Sequence, residues 1–97
     1  MKGIDKIKYL NSLTRERACV AVFGFGREME DLADALVGMS EDERAIYDYD
    51  ALVDSFVKSR GVTCEEAVKW ANDKIKEIPF MGPGAPIIMK KIPEDCK

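Results

Sequence analysis

Apolar residues recur at every third or fourth position over most of this chain, and that spacing predicts four amphipathic helices. The segments that carry the pattern are 4–13, 27–37, a stretch that ends at Arg60, and 64–78. Gly38 and Gly61 follow the second and third of these helices, where a left-handed glycine commonly ends a helix. Pro79 ends the fourth helix, because proline has no amide hydrogen to continue the hydrogen-bond ladder.

Capping residues mark the starts of the last two helices. Asp48 or Asp50 is suited to cap the third helix through its carboxylate. Thr63 and Glu66 match a capping box, in which the threonine hydroxyl accepts from the Glu66 amide and the glutamate carboxylate reaches back to the Thr63 amide. Only residues 61–63 separate the two helices, so we expect a tight helical hairpin or corner.

Three shorter segments predict strands. Residues 17–25 contain an unbroken apolar run that ends at Gly24, which favours a buried strand. Residues 44–47 and 87–89 are the other two candidates. Pro86 suits the first position of the last strand, where proline is tolerated.

This order of elements predicts a small α+β domain, in which a two- or three-stranded sheet packs against about four helices. We expect a single domain over residues 1–97, with a mobile tail at 90–97. Residues 40–43 are predicted to form an exposed acidic loop, and the prolines and glycines of residues 79–86 exclude regular structure there.

Composition narrows the class of protein. Hydrophobic residues make up 46% and charged residues 34% of the chain, which is the balance of a folded domain rather than of a disordered one. No apolar run approaches the roughly 18 residues of a membrane-spanning helix, and the first residues lack the pattern of a signal peptide. We therefore expect a cytoplasmic protein that does not bind membranes.

Enzymatic activity is not predicted. The sequence has no histidine, which removes the commonest general base at neutral pH and the commonest zinc ligand. Its three cysteines, Cys19, Cys64 and Cys96, are far apart and include no CxxC pair, so neither a disulfide framework nor a zinc site is expected. No cofactor and no metal are predicted either.

Gly24-Phe25-Gly26 resembles the start of a dinucleotide-binding fingerprint, in which a strand leads through glycines into a helix whose amides hold a phosphate. The third glycine of that fingerprint would fall at Met29, where it is absent. The alternative interpretation is a tight turn between a strand and a helix.

Two further features suggest chemistry less directly. Cys64 begins the fourth predicted helix and is a candidate nucleophile, although Glu65 and Glu66 beside it oppose a thiolate. Asp50 and Asp54 share a helix face, but the carboxylates of this segment lack the ligand spacing of a calcium loop. Helix caps and a solvated face are the simpler interpretation.

Charge is distributed unevenly along the chain. Residues 1–27 carry six basic and two acidic side chains, residues 28–54 one basic and ten acidic, and residues 55–97 eight basic and six acidic. The middle segment therefore has a net charge of −9 in a chain whose net charge is −3. This balance argues against direct nucleic-acid binding and favours a basic protein partner. The alternative is a solvated acidic face.

The candidate partner-binding residues come from this acidic segment and from the aromatic side chains. Large aromatics anchor many protein interfaces, although most of those in this chain are also expected in the core. Trp70 lies at the edge of its helix's apolar stripe, so it suits either environment. The candidates are Glu30, Asp34, Glu41, Asp42, Glu43, Tyr49, Trp70 and Phe80.

Three segments carry a resemblance to a known group of proteins: Ile46–Val53 (IYDYDALV), Gly61–Trp70 (GVTCEEAVKW) and Pro79–Met89 (PFMGPGAPIIM). Over residues 46–89 the chain resembles a family of small, uncharacterised proteins of phages, prophages and bacterial genomes, and it departs from their pattern at residues 71–74. The resemblance implies a phage or mobile-element setting. It implies no activity and no site residues.

The leading hypothesis is a non-enzymatic protein-binding module of phage or mobile-element origin that inhibits or modulates a host protein through an acidic surface at 28–54. Its partner would be an unknown host or viral protein, such as a defence or nucleic-acid enzyme. Two alternatives stay open. One is a small-ligand or nucleotide-binding protein that uses the Gly24–Gly26 turn. The other is a self-assembling structural subunit, since a homo-oligomer buries more surface than so short a chain can.

Overall fold

The computed structural model describes residues 2–16 and 18–92, which form four α-helices, one 3-10 helix and three strands. The helices are α1 (Gly3–Leu13), α2 (Arg27–Ala33), α3 (Tyr49–Arg60) and α4 (Cys64–Glu77), followed by the 3-10 helix at Ile78–Phe80. The strands are β1 (Leu36–Met39), β2 (Ala45–Asp48) and β3 (Ile87–Met89). The predicted α+β class is confirmed, and so are the strands predicted near 44–47 and at 87–89.

The sheet is mixed, with the strand order β1-β2-β3. β1 is antiparallel to β2, and a bulge at Val37 interrupts their register. β2 and β3 are parallel, and α3 and α4 form the connection between them. The carboxyl ends of β2 and β3 therefore lie at the same edge of the sheet, where α3 begins.

One hydrophobic core lies between the sheet and the helices. Tyr47 of β2 is fully buried in it, and its ring centroid is 4.8 Å from that of Phe23. The Tyr47 hydroxyl accepts a hydrogen bond from the Phe23 amide at 3.0 Å. Burial raises the pKa of Tyr47 to about 12, and the hydrogen bond from Phe23 opposes that shift.

The strand predicted within residues 17–25 does not form in the described part of that segment. Val20 and Phe23 are buried as expected, but side chains rather than a neighbouring strand satisfy their amides. The Val20 amide donates to Asn11 Oδ1 at 2.8 Å, and the Phe23 amide donates to the Tyr47 hydroxyl. The apolar run predicted burial correctly, but periodicity alone does not supply a partner strand.

α2 is shorter than predicted. The apolar spacing over 27–37 favoured a helix that Gly38 would end, whereas α2 stops at Ala33 and β1 begins at Leu36. Pairing with β2 decides the outcome, because tertiary hydrogen bonds outweigh a weak helix propensity. Gly38 therefore belongs to a strand and does not end a helix.

The predicted helix ends are confirmed at three places. Asp48, the first of the two candidate aspartates, caps α3, since its Oδ2 accepts from the Ala51 amide at 3.2 Å. Gly61 ends α3 in the left-handed conformation, with φ of 66°. Thr63 caps α4, since its hydroxyl accepts from the Glu66 amide at 3.2 Å.

α1 packs closely against α2 at Gly3. A Cβ at this position would lie 2.3 Å from the Glu30 carbonyl oxygen, so only glycine fits there. One turn later, Lys6 Nζ donates to the Asp34 carbonyl at 2.7 Å and to the Leu36 carbonyl at 3.1 Å. These contacts fix α1 against both α2 and the start of β1.

Within the described residues, no helix combines the length and the apolar character that crossing a membrane requires. After β3, residues 90–92 are exposed. The predicted mobile tail at 90–97 falls mainly on residues 93–97, which lie outside the described residues.

Candidate binding surface

A groove of about 780 Å³ runs between α2 and α3. One face of α3 contributes small side chains to it at every fourth residue: Ala51, Ser55 and Ser59. Charged residues line the rest: Arg27, Glu28, Asp31 and Asp34 from α2 and its C-cap, and Asp54, Lys58 and Arg60 from α3. The small side chains leave room beside α3, and the charges determine which partner fits.

Glu28 lies at one end of the groove and joins α2 to two other helices. Its carboxylate is 2.6 Å from Lys74 Nζ of α4 and 3.0 Å from Arg60 Nη2 of α3. The hydrogen bond from Lys74, together with the charges of Lys74 and Arg60, lowers the pKa of Glu28 although partial burial opposes that shift. This end of the groove is therefore neutralised within the molecule.

The turn before α2 places the main chain directly against Glu28. Gly24 and Gly26 both have positive φ, at 82° and 58°. A Cβ at Gly24 would lie 2.9 Å from Glu28 Cγ, so a side chain there would disturb the carboxylate that holds α3 and α4. The two glycines are thus required by the geometry of the groove's end.

Further along the groove, Asp54 and Lys58 of α3 form an ion pair of 2.9 Å. The hydrogen bond and the charge of Asp54 raise the pKa of Lys58, and the charge of Asp34 adds to that shift. Both members of the pair are more than half exposed, so the pair is a weak contact in water.

Asp31 and Asp34 differ from the other acidic residues of the groove. Neither carboxylate has an ion pair within 4.0 Å among the described residues. They lie three residues apart at the end of α2, so they share a face of the helix. Four carboxylates and three cations line the groove, which leaves it a net charge of −1, and Asp31 and Asp34 are the two carboxylates without an ion pair among the described residues.

The acidic segment 28–54 does not form one surface. Asp34 lines the groove and Glu30 is exposed on α2 outside it, whereas Glu41 and Asp42 are exposed on the turn between β1 and β2. That turn lies beyond the far end of β1, which at about 3.3 Å per residue is roughly 13 Å long. The candidate residues are therefore divided between separate regions.

Glu43 is not part of an exposed acidic surface, which corrects the sequence-based prediction for this residue. It is only 9% exposed, and its carboxylate accepts hydrogen bonds from the amides of Arg15 and Glu16. The backbone of Glu43 has a positive φ of 62°, so this residue lies in the left-handed region and not in the β region. Glu43 therefore fixes the turn between β1 and β2 to the segment that follows α1.

The candidate aromatic residues differ in exposure. Phe80 is 90% exposed, and Trp70 is 38% exposed. The Trp70 ring packs edge-on against Phe56, with 5.7 Å between ring centroids. Trp70 and Lys74 are one turn apart on α4, so the exposed part of Trp70 lies on the helix face that also reaches Glu28.

Tyr49 is half-buried and already has contacts within the molecule. Its hydroxyl donates to Asn72 Oδ1 at 3.2 Å, and Lys90 Nζ lies 4.8 Å from the centre of its ring. These contacts join the start of α3 to α4 and to the end of β3. The structure thus brings Tyr49 into a different region from the groove.

Asp48 is a buried carboxylate beside Tyr49. Its Oδ2 caps α3 and lies 3.8 Å from Lys91 Nζ, while its Oδ1 is buried with no hydrogen-bond partner among the described residues. The ion pair connects the start of α3 to the residues after β3. Asp48 therefore has a structural role, and it does not line the α2–α3 groove.

The resemblance of Gly24-Phe25-Gly26 to a dinucleotide fingerprint is not matched by the structure. No strand precedes the turn in the described residues, and the helix that follows it has only seven residues. The strand–glycine–helix arrangement that holds a pyrophosphate is therefore missing. The segment is a tight turn, but it leads from irregular chain into α2.

Sequence reasoning missed two exposed apolar features. Phe25, between the two positive-φ glycines, is 94% exposed. Tyr9 of α1 and Val37 of β1 are 53% and 51% exposed and line a pocket of about 210 Å³. The flanking glycines were a signal for Phe25, but no local pattern indicated that α1 and β1 would lie together.

In the parts of the chain that the structure describes, no group of three or more cysteine, aspartate or glutamate side chains could hold a metal ion. Cys19 and Cys64 are exposed and free, and Cys96 lies outside the described residues.

Comparison of the chain with models of protein families, with curated proteins and with solved structures finds no match. The resemblance of residues 46–89 to small phage and bacterial proteins stays a prediction.

Proposed function

We propose that this protein is a non-catalytic binding module and that its α2–α3 groove holds a basic segment of a partner protein. One observation carries the proposal: Asp31 and Asp34 line a groove of about 780 Å³ and have no ion pair among the described residues. A lysine or arginine side chain of the partner supplies the missing positive charge.

The shape of the groove favours such a contact over one with the exposed turn between β1 and β2. A cation that enters the groove is partly removed from water. Hydrogen bonds between charged groups are stronger there than on an open surface. The planar guanidinium of arginine can bond two carboxylate oxygens at once, so it suits the adjacent carboxylates of Asp31 and Asp34.

The same charges disfavour nucleic acid as the ligand. The chain has a net charge of −3, and the unpaired carboxylates of the groove repel phosphate groups. A protein whose own nucleic-acid site is rich in lysine and arginine is attracted instead, because an acidic surface competes with phosphate for that site.

The resemblance of residues 46–89 to small phage and bacterial proteins supports a host or viral protein as the partner. A defence enzyme or a nucleic-acid enzyme fits both the resemblance and the charge of the groove. Occupation of its basic site by this protein inhibits it, and the encounter takes place in the cytoplasm.

Affinity capture with two variants tests the proposal. Tagged protein is incubated with host lysate at low and at moderate salt, and the captured proteins are identified by mass spectrometry. We expect one protein whose capture falls with salt, because salt screens charges at the groove. The double variant Asp31→Asn/Asp34→Asn should no longer capture this protein, because its affinity for the protein should fall at least about tenfold.

The control is Glu65→Gln/Asp73→Asn, which removes two charges from exposed residues of α4 outside the groove. It should capture the same protein as the wild type. Equal loss with both double variants would show that net charge, and not the groove, attracts the partner. Retention by the groove variant, or no captured protein at either salt, would contradict the proposal.

A further inference from the structure

A second surface runs along α1 and β1 and shares no lining residue with the groove, which it adjoins where Lys6 bonds the Asp34 carbonyl. Lys2, Lys6, Tyr9 and Leu13 are spaced by four, three and four residues, so they share one face of α1. Val37 of β1 lies beside that face, since it lines a pocket together with Lys6 and Tyr9. We call this surface, with Glu41 and Asp42 of the following turn, the α1–β1 strip.

The middle of the strip is apolar and exposed. Tyr9, Leu13 and Val37 are 53%, 43% and 51% exposed. Tyr9 and Val37 line the pocket of about 210 Å³, which reaches the buried side chains of Leu10 and Leu36. Single exposed apolar residues are ordinary, but two at one pocket, with Leu13 one turn beyond Tyr9 on the same face of α1, form a patch.

The two ends of the strip have opposite charges. α1 and β1 run in the same direction, because Lys6 bonds the Leu36 carbonyl at the start of β1 and Glu43 bonds the amide of Arg15 just beyond α1. Lys2 and Lys6 therefore lie at one end, and the exposed turn residue Glu41 lies near the other.

We propose that the α1–β1 strip binds the same strip of a second copy of this chain across a twofold axis. A twofold axis perpendicular to the strip places the basic end of each copy against the acidic end of the other, and the apolar middle against itself. A surface with this order of charges is self-complementary. The proposal concerns a different face from the groove, so it does not depend on the proposed function.

Side chains, and not strand pairing, make this contact. β1 is an edge strand, but the Leu36 carbonyl already accepts a hydrogen bond from Lys6 Nζ. The bulge at Val37 also breaks the regular register of the strand. Both features prevent another strand from pairing with an edge. The contact instead places an apolar side chain of each copy, Tyr9 or Val37, over the pocket of the other.

Sedimentation velocity over a wide range of protein concentrations tests the proposal. The wild type should shift, as concentration rises, from the mass of one 10.9 kDa chain to twice that mass. Tyr9→Ser/Val37→Glu should stay monomeric at all concentrations. Phe80→Ser, which changes an apolar residue that is 90% exposed outside the strip, should dimerise as the wild type does.

A charge exchange gives a second measurement that does not involve apolar residues. Lys2→Glu and Glu41→Lys alter exposed side chains, and each alone should weaken dimerisation several-fold. The double variant Lys2→Glu/Glu41→Lys should restore it, because the twofold axis pairs position 2 of one copy with position 41 of the other. A wild type that is monomeric throughout, a dimer that survives Tyr9→Ser/Val37→Glu, or a double exchange without recovery would overturn the proposal.

Discussion

The α2–α3 groove and the α1–β1 strip are built in different ways. The groove collects charged residues that repeat along two helices, and part of its charge is already paired, as in Glu28 with Lys74. The strip joins two distant segments, residues 2–13 and 37–42, and places exposed apolar side chains between lysines and carboxylates. Charge therefore dominates the groove, and apolar area dominates the strip. Salt should weaken binding at the groove much more than at the strip.

The comparison also shows that acidic residues close together in the sequence need not lie on one surface. The ten acidic residues of segment 28–54 include a buried cap, Asp48, and a buried turn residue, Glu43. Asp31 and Asp34 line the groove, whereas Glu41 belongs to the strip. One acidic segment thus contributes to two surfaces and to the interior.

The largest effect is expected from Gly3→Ala, because it disturbs both regions at once. The new methyl group would lie 2.3 Å from the Glu30 carbonyl oxygen, so α1, which carries the strip, must move away from α2, which carries the groove. Overpacking of this kind costs about 1–3 kcal/mol. We expect the free energy of unfolding to fall by about 3 kcal/mol, which urea denaturation measures.

Gly38→Ala is the matched control for that prediction. A Cβ at Gly38 meets no atom within 4 Å, and the residue lies in the strip's own strand. The free energy of unfolding should change by less than about 1 kcal/mol. If the two alanine variants have equal stability, α1 and α2 are not held together at Gly3.

A smaller effect, confined to the strip, is expected from Glu43→Ala. Loss of the carboxylate leaves the amides of Arg15 and Glu16 without their acceptor, which costs about 1–2 kcal/mol. It also frees the turn that carries Glu41, so dimerisation should weaken while binding at the groove is unchanged. Thermal unfolding and sedimentation measure the two effects.

Glu41→Ala separates the loss of stability from the loss of dimerisation. Glu41 is exposed, so its replacement should leave the melting temperature within about 2–3 °C of the wild type, which corresponds to about 0.5 kcal/mol. A large loss of stability in Glu41→Ala, or none in Glu43→Ala, would mean that Glu43 does not hold the turn.

Local rules predicted the parts of the fold that depend on neighbouring residues. Asp48, Gly61 and Thr63 end or begin helices as expected, because a cap needs only a side chain and a few adjacent amides. Two predictions failed where distant pairing decides the structure. β2 converts the end of the predicted 27–37 helix into β1, and side chains of α1 and β2 bind the apolar run before Gly24.

The candidate surfaces show the same limit. Asp34 was a candidate from its charge alone, but the groove around it depends on how α2 packs against α3. Tyr9 and Val37 were not candidates, because each looks like an ordinary apolar residue of its own element. Their shared exposure arises only when α1 lies against the edge strand, which no spacing in the sequence specifies.

Of the three substitutions that are not controls, Glu28→Gln has the smallest expected effect, and it is confined to the groove. The substitution removes the charge that Lys74 and Arg60 share, and since Glu28 is partly buried the free energy of unfolding should fall by about 1 kcal/mol at neutral pH. Glu28 lies outside the strip, so dimerisation should not change. Denaturation by urea measures the first effect.

The pH dependence of that difference identifies its cause. Lys74 and Arg60 lower the pKa of Glu28 below its ordinary value of 4.5, so the folded state favours the charged carboxylate. Its contribution to stability is therefore complete well above that value and is lost as the pH falls through the lowered pKa. The wild type should lose more stability than Glu28→Gln as the pH falls from neutral to below 4.5, and the two proteins should converge once the pH is below the lowered pKa of Glu28. A difference that stays constant over this range would mean that packing of the side chain, and not its charge, joins α2 to α3 and α4.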